Sequence, residues 1–118
     1  MELPTDSLLL RVYLGESDRH DGRPLYEVIV LKARAAGLAG ATVLRSPMGF
    51  GAASHLHTAK ILRLSADLPI VIELVDAEAK INAFLPQLEP LMDGGLITLQ
   101  PVKVVHYRAG APDVSPSA

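Results

Sequence analysis

Three groups of residues in this chain have types and spacings that could do chemistry. The first is Gly49-Phe50-Gly51, with Arg45 before it and Lys60 after it. Glycines on both sides of Phe50 let backbone amides turn toward an anion, and the two cations add charge, so the pattern suits a phosphate or another small anion. Residues 49–54 also fit most of a G-x-G-x-x-G/A dinucleotide fingerprint. Ser54 breaks the last position, however, and no βαβ crossover follows, so a Rossmann site is not expected. The second group is His55-x-His57. On a strand these side chains share a face and suit a divalent metal, with His20, Asp18 or Asp21 as a third ligand. Two histidines in a polar loop serve equally well as exposed hydrogen-bonding groups. The third is Asp18-Arg19-His20-Asp21, just ahead of an expected helix start, where the helix end favours anions. Arg19, His20 and Arg23 suit a phosphate there; the same residues also suit salt bridges that order the turn. No spacing specifies a catalytic triad or a carboxylate pair, so no catalytic residue and no enzyme activity are expected. His106 reads as a packed or edge residue.

The flanking elements must position these groups. Residues 7–14 alternate as a strand, with Leu8, Leu10, Val12 and Leu14 on one face. Residues 15–22 read as a polar loop. Pro24 fits the first turn of a helix carrying Leu25, Val28, Ile29, Ala33 and Ala36 at helical spacing. Val30 and Leu31 widen that arc, which predicts burial on more than one side. Gly37 suits a left-handed C-terminal cap, with Leu38 folding back. Residues 41–45 form a second strand, and residues 68–75 a third, β-branched one with Ile70, Ile72 and Leu74 on one face. The connection between them far exceeds the usual ~4–6 residues, and long loops on a rigid scaffold tend to carry function. Residues 61–64 are extended or a short helical turn.

Asp76 is the expected N-cap of a second helix with Ile81, Phe84, Leu85, Leu88, Leu91 and Met92 as its stripe. Pro86 and Pro90 should bend that helix or end it early. Asp93-Gly94-Gly95 is a turn. Residues 96–99 and 102–107 are extended, with Pro101 between them marking a bulge or an edge position. Residues 1–107 are thus one expected domain, and residues 108–118 have the composition of a disordered tail.

The order strand, helix, strand, long loop, strand, helix, strand is the α+β, ferredoxin-like βαββαβ arrangement. Two helices should cover one face of an antiparallel sheet. The other face carries Leu9, Tyr13, Val71 and Val75 around Arg11 and Glu73. Such a patch calls for a covering partner, most simply further copies of the chain.

Composition limits the partners. The chain has 118 residues, 49% hydrophobic and 20% charged, with a net charge of −2. That balance fits one globular domain and gives no broad attraction to nucleic acid. There is no cysteine, which removes disulfides and thiolate chemistry. Neither a signal-peptide pattern nor an apolar run of ~20 residues is present, so a cytoplasmic protein without membrane insertion is expected.

Longer stretches carry a family likeness. Leu10-Arg11-Val12-Tyr13-Leu14-Gly15-Glu16, Asp18-Arg19-His20, Arg23-Pro24-Leu25-Tyr26, residues 36–43, Gly49-Phe50-Gly51, residues 55–64, Asp67-Leu68-Pro69-Ile70-Val71-Ile72-Glu73 and Gly95-Leu96-Ile97-Thr98-Leu99 follow in order. Together they resemble an uncharacterised bacterial and archaeal family, domain of unknown function 190, grouped with the PII-like signalling proteins. The resemblance implies a ferredoxin-like homotrimer that binds a ligand, such as a nucleotide, between subunits. It implies that residues 45–60 are a T-loop that reports the ligand to a target protein, for instance a membrane transporter. It also implies that the Asp93-Gly94-Gly95 turn helps hold the ligand. The chain departs from the family pattern at Ser46-Pro47, where glycine often follows the arginine, and Pro47 stiffens the loop entrance. Two other readings stay open: a protein-binding module with no small ligand, and a divalent-metal sensor using His55 and His57.

Overall fold

The structure, a computed structural model, describes residues 2–50, 57–58 and 67–108. The expected residues 61–64 segment, His55, Gly51, Lys60 and the tail beyond Arg108 lie outside these. Strand β1 (Asp6–Gly15) runs into a short hairpin of β2 (Arg19–His20) and β3 (Arg23–Pro24), then helix α1 (Leu25–Ala35). Strand β4 (Thr42–Arg45) leads to β5 (Met48–Gly49) and β6 (His57–Thr58), which pair with each other at the base of the long connection. Strand β7 (Pro69–Asp76), helix α2 (Glu78–Leu88), a 3-10 turn (Glu89–Leu91) and strand β8 (Leu96–Lys103) complete the order.

The main sheet has the order β4-β7-β1-β8, with every neighbouring pair antiparallel. This is the expected ferredoxin-like arrangement. The period-2 alternation of β1 and β7 puts Leu10, Val12, Leu14, Ile70, Ile72 and Leu74 on one buried face. Leu25, Ile29 and Ala33 of α1 and Ile81, Phe84 and Leu88 of α2 pack against it. Fully burying side chains of this size is worth about 1.5–3 kcal/mol each before entropy is charged against it.

Several local expectations need correction. Helix α1 buries one side only: Leu31 is 47% exposed, and Ala36 is exposed too. A single sheet offers one face to cover, so the wider apolar arc has nothing to pack on. The end of α1 does follow the expected motif, with Gly37 at φ +79° and the Leu38 and Gly37 amides donating back to the Ala33 and Arg34 carbonyls. Asp76 does not cap α2. Ala77 holds the N-cap position, and Asp76 is the buried last residue of β7. Its Oδ2 accepts from the Ala39 amide at 2.8 Å and its Oδ1 from the Ala77 amide at 2.7 Å. The carboxylate therefore ties the α1–β4 connection to the sheet.

Helix α2 continues through Pro86 and then tightens into the 3-10 turn that contains Pro90. The last two extended stretches are one strand ending at Lys103, with Pro101 opposite Leu8. Because β8 is an edge strand, only one of its sides needs backbone donors. His106 lies beyond that strand and is exposed. The loop after β1 is more ordered than expected. Asp21 (φ 50°) and Gly22 (φ 77°) make the two-residue turn between β2 and β3, matching the twist that hairpins favour.

Candidate functional site at one end of the sheet

Strands β1 and β4 end, and β7 and β8 begin, at one end of the sheet. The residue 15–24 hairpin, the base of the long connection and the Asp93-Gly94-Gly95 turn therefore all emerge there. Arg45 lies opposite Ile70, and Ile70 opposite Leu14. Gly95 directly precedes Leu96, which pairs with Tyr13. Arg45 and Gly95 thus fall on one line across the sheet but at its two edges. Three inter-strand steps separate them by roughly 14 Å.

The structure joins the long connection firmly to the first loop. The Arg45 guanidinium donates through Nε (3.2 Å) and Nη2 (3.0 Å) to Glu16 Oε1. A guanidinium has five N–H donors, so this pair leaves donors for an anion. The Glu16 amide donates to the Leu68 carbonyl, and the Ser17 amide to Asp67 Oδ1. Asp18 Oδ2 accepts from the Gly15 amide at 3.0 Å, and its carbonyl accepts from the Leu25 amide at 2.8 Å. The carboxylate of Asp18 is thus spent on shaping the turn.

On the other side of Arg45, the Ser46 amide donates to the Pro69 carbonyl, and Ser46 Oγ donates to the Met48 carbonyl at 2.6 Å. Gly49 packs so close to Pro69 that an added Cβ would sit 3.0 Å from its Cγ. Phe50 follows, 67% exposed. The entrance to the long connection is therefore a built structure in which Ser46 and Pro69 hold Arg45 and Gly49 in place.

The remaining candidates are more dispersed. Arg19 is exposed on β2, and His20 is half-exposed with Nε2 3.5 Å from Asp21 Oδ2. Neither contacts Arg45. The His57 backbone pairs with Gly49 in β6. Among the described residues, no group of three or more His, Cys, Asp or Glu converges as a metal site. Asp93 and Gly94 are exposed, whereas Gly95 is fixed at φ +85°, and a Cβ there would collide with the Tyr13 carbonyl oxygen. Only glycine brings that turn so close to the end of β1. Glu16, Ser46, Asp67 and Pro69 organise this end of the sheet; the sequence marks Ser46 only as a departure from the family pattern and gives none of the four a role at the site. Their long-range partners lie up to 52 residues away in sequence, so no local pattern signals them. A concavity of about 290 Å³ between α1 and residues 38–41, lined by Val30, Ala33 and Arg34, lies at the opposite end of β4 and holds none of the candidates.

The comparisons with known proteins fit this picture. The model of the family described as DUF190, uncharacterized ACR, matches residues 7–104. The chain belongs to the DUF190 family. Two relatives called UPF0166 protein support this. One, from Aquifex aeolicus, is 37% identical over 98 residues, 83% of this chain and 92% of the relative. One from Methanocaldococcus jannaschii is 38% identical over 92 residues, 77% of this chain and 84% of the relative. Among solved structures, this DUF190 chain is similar in fold to CPII, a nitrogen regulatory PII-like protein from Thiomonas intermedia K12, bound to ADP, AMP and bicarbonate. That similarity has a TM-score of 0.65 at 17% identity and covers 84% of this chain and 88% of CPII. A second CPII structure, with ADP and bicarbonate, gives 0.63 at 18% identity, covering 84% and 88%. The fold is PII-like, with a long connection between β4 and β7. No helix among the described residues is long and apolar enough to cross a membrane.

Proposed function

We propose that this DUF190 protein is a cytoplasmic homotrimeric sensor that binds an adenine nucleotide between subunits and relays its presence through residues 45–60 to a partner protein. The observation that carries this reading is the placement of Arg45 and Gly95 on one line of the sheet but at opposite edges. A single chain holds the two halves of the candidate site about 14 Å apart. A closed ring of copies sets the β4 edge of one chain beside the β8 edge of the next and brings the halves together. This geometry supports binding between subunits, and the ligands of CPII support the nucleotide class.

In this reading Arg45 and the amides around Gly49 and Phe50 meet the phosphates from one chain. The Asp93-Gly94-Gly95 turn of the neighbour closes the other side. Arg19 and His20 are further candidates on the rim of this end, and Gly51 and Lys60, outside the described residues, are further candidates from the sequence. Binding favours one arrangement of residues 45–60, and the partner reads that arrangement. No catalytic step is assigned to the chain. The test is a thermal-shift titration with ADP, AMP and ATP against wild type and Arg45→Ala. Stabilisation that grows with nucleotide in wild type and is lost in Arg45→Ala is expected. Equal responses in both would remove Arg45 from the site. A partner protein that binds equally well with and without nucleotide would favour the ligand-free binding module instead.

A further inference from the structure

The open face of the sheet is arranged in transverse rows. Register places Thr42, Glu73, Arg11 and Thr98 in one line across all four strands. The adjacent line is Leu44, Val71, Tyr13 and Leu96, entirely apolar or aromatic. On the other side stand Val75 and Leu9, followed by Gln100. A polar row thus crosses the middle of an apolar face. Its charges are joined: Arg11 Nε donates to Glu73 Oε2 at 2.9 Å, and Arg11 Nη1 to Gln100 Oε1 at 3.3 Å. The side chains of Arg11 and Glu73 are still 35% and 30% exposed, and Leu44 and Leu96, at the ends of the apolar row, are 47% and 55% exposed.

We propose that the Thr42–Glu73–Arg11–Thr98 row is the element that fixes how copies of this chain meet, setting their register and number. The proposal rests on the oligomeric reading above. Apolar rows supply the drive to bury the face but match one another at many offsets. A polar row discriminates between offsets, because misplacing it sets a charged pair against hydrocarbon. The row also identifies its occupant. It carries one positive and one negative group already paired within the chain, so a second copy can cover it without burying net charge. A partner of uniform charge would meet either Arg11 or Glu73 with repulsion.

The test compares wild type, Glu73→Gln and Arg11→Met/Glu73→Met by sedimentation equilibrium and native mass spectrometry, with circular dichroism as the check on folding. Wild type is expected to form one assembly size. Glu73→Gln leaves a guanidinium without its carboxylate, and its association is expected to weaken by about tenfold or more. The double variant is expected to associate at least as tightly as wild type but into more than one size, as when a polar specifying group is exchanged for apolar ones. If wild type assembles and Glu73→Gln associates equally well, this inference fails while the oligomeric reading stands. A double variant with the single wild-type size overturns it too. A wild type that is monomeric at every concentration overturns both.

Discussion

Arg45, Gly95 and Asp76 show how single residues divide between binding and framework. The Arg45–Glu16 pair is surface-exposed, and such pairs contribute at most about 1 kcal/mol. Arg45→Ala should therefore leave the urea midpoint nearly unchanged while weakening nucleotide binding by about tenfold or more; a large loss of stability would make Arg45 a framework residue instead. Gly95→Ala, by contrast, should lower the stability of the fold itself. An L-residue at φ +85° costs about 1–2 kcal/mol, and the collision with the Tyr13 carbonyl adds to it, so a loss of at least about 2 kcal/mol is expected in urea unfolding. Asp76→Ala deprives the Ala39 and Ala77 amides of their acceptor and should cost about 2–4 kcal/mol by the same measurement. The sequence marks Asp76 as a helix cap because the pattern of a short acidic residue before an apolar stripe is local. Its true partner, Ala39, is 37 residues away, and no spacing rule reaches that far. Gly49 and Phe50 were legible as loop residues; the Pro69 contact that holds Gly49 was not, for the same reason.

At the level of elements, β1 and β7 were the most legible parts of the chain. Each carries apolar residues at every second position on one face that must be buried, which also fixes their register. Strand β8 was harder to read, since Pro101 interrupts its pattern and its edge position leaves much of it exposed. The β2–β3 hairpin was marked by Asp21-Gly22, a strong turn signal overlooked because the strands it joins are only two residues long. Helix α1 was placed well but its buried arc was overestimated, because periodicity reports which residues are apolar and not how many neighbours the fold supplies. Strand β4 is the weakest element of the sheet: all four of its residues are exposed, and it pairs on one side only. Hydrogen exchange should therefore be slowest in β1 and β7 and faster in β4. Adding ADP should slow exchange in β4 and in residues 93–95 together, because the proposed function makes them the two halves of one site in adjoining chains. Protection of one segment without the other would count against a shared site.

For the whole molecule, the chain belongs to the DUF190 family and has a PII-like fold, and its own geometry supports the proposal that it works as an assembly. Among the described residues, one end of the sheet carries Arg45, Gly49 and the residue 93–95 turn, and the open face carries a paired polar row between apolar ones; under the proposed function neither feature is complete in an isolated chain. The central claim is that an adenine nucleotide binds between subunits at that end. Its most direct test is a calorimetric titration of the full chain with ADP, at a concentration where sedimentation has established the assembled mass. The account predicts saturable binding of one nucleotide per chain, abolished under conditions that dissociate the assembly without unfolding it. Binding of ADP at full strength to the separated, folded monomer, or no binding to an intact assembly, would contradict it.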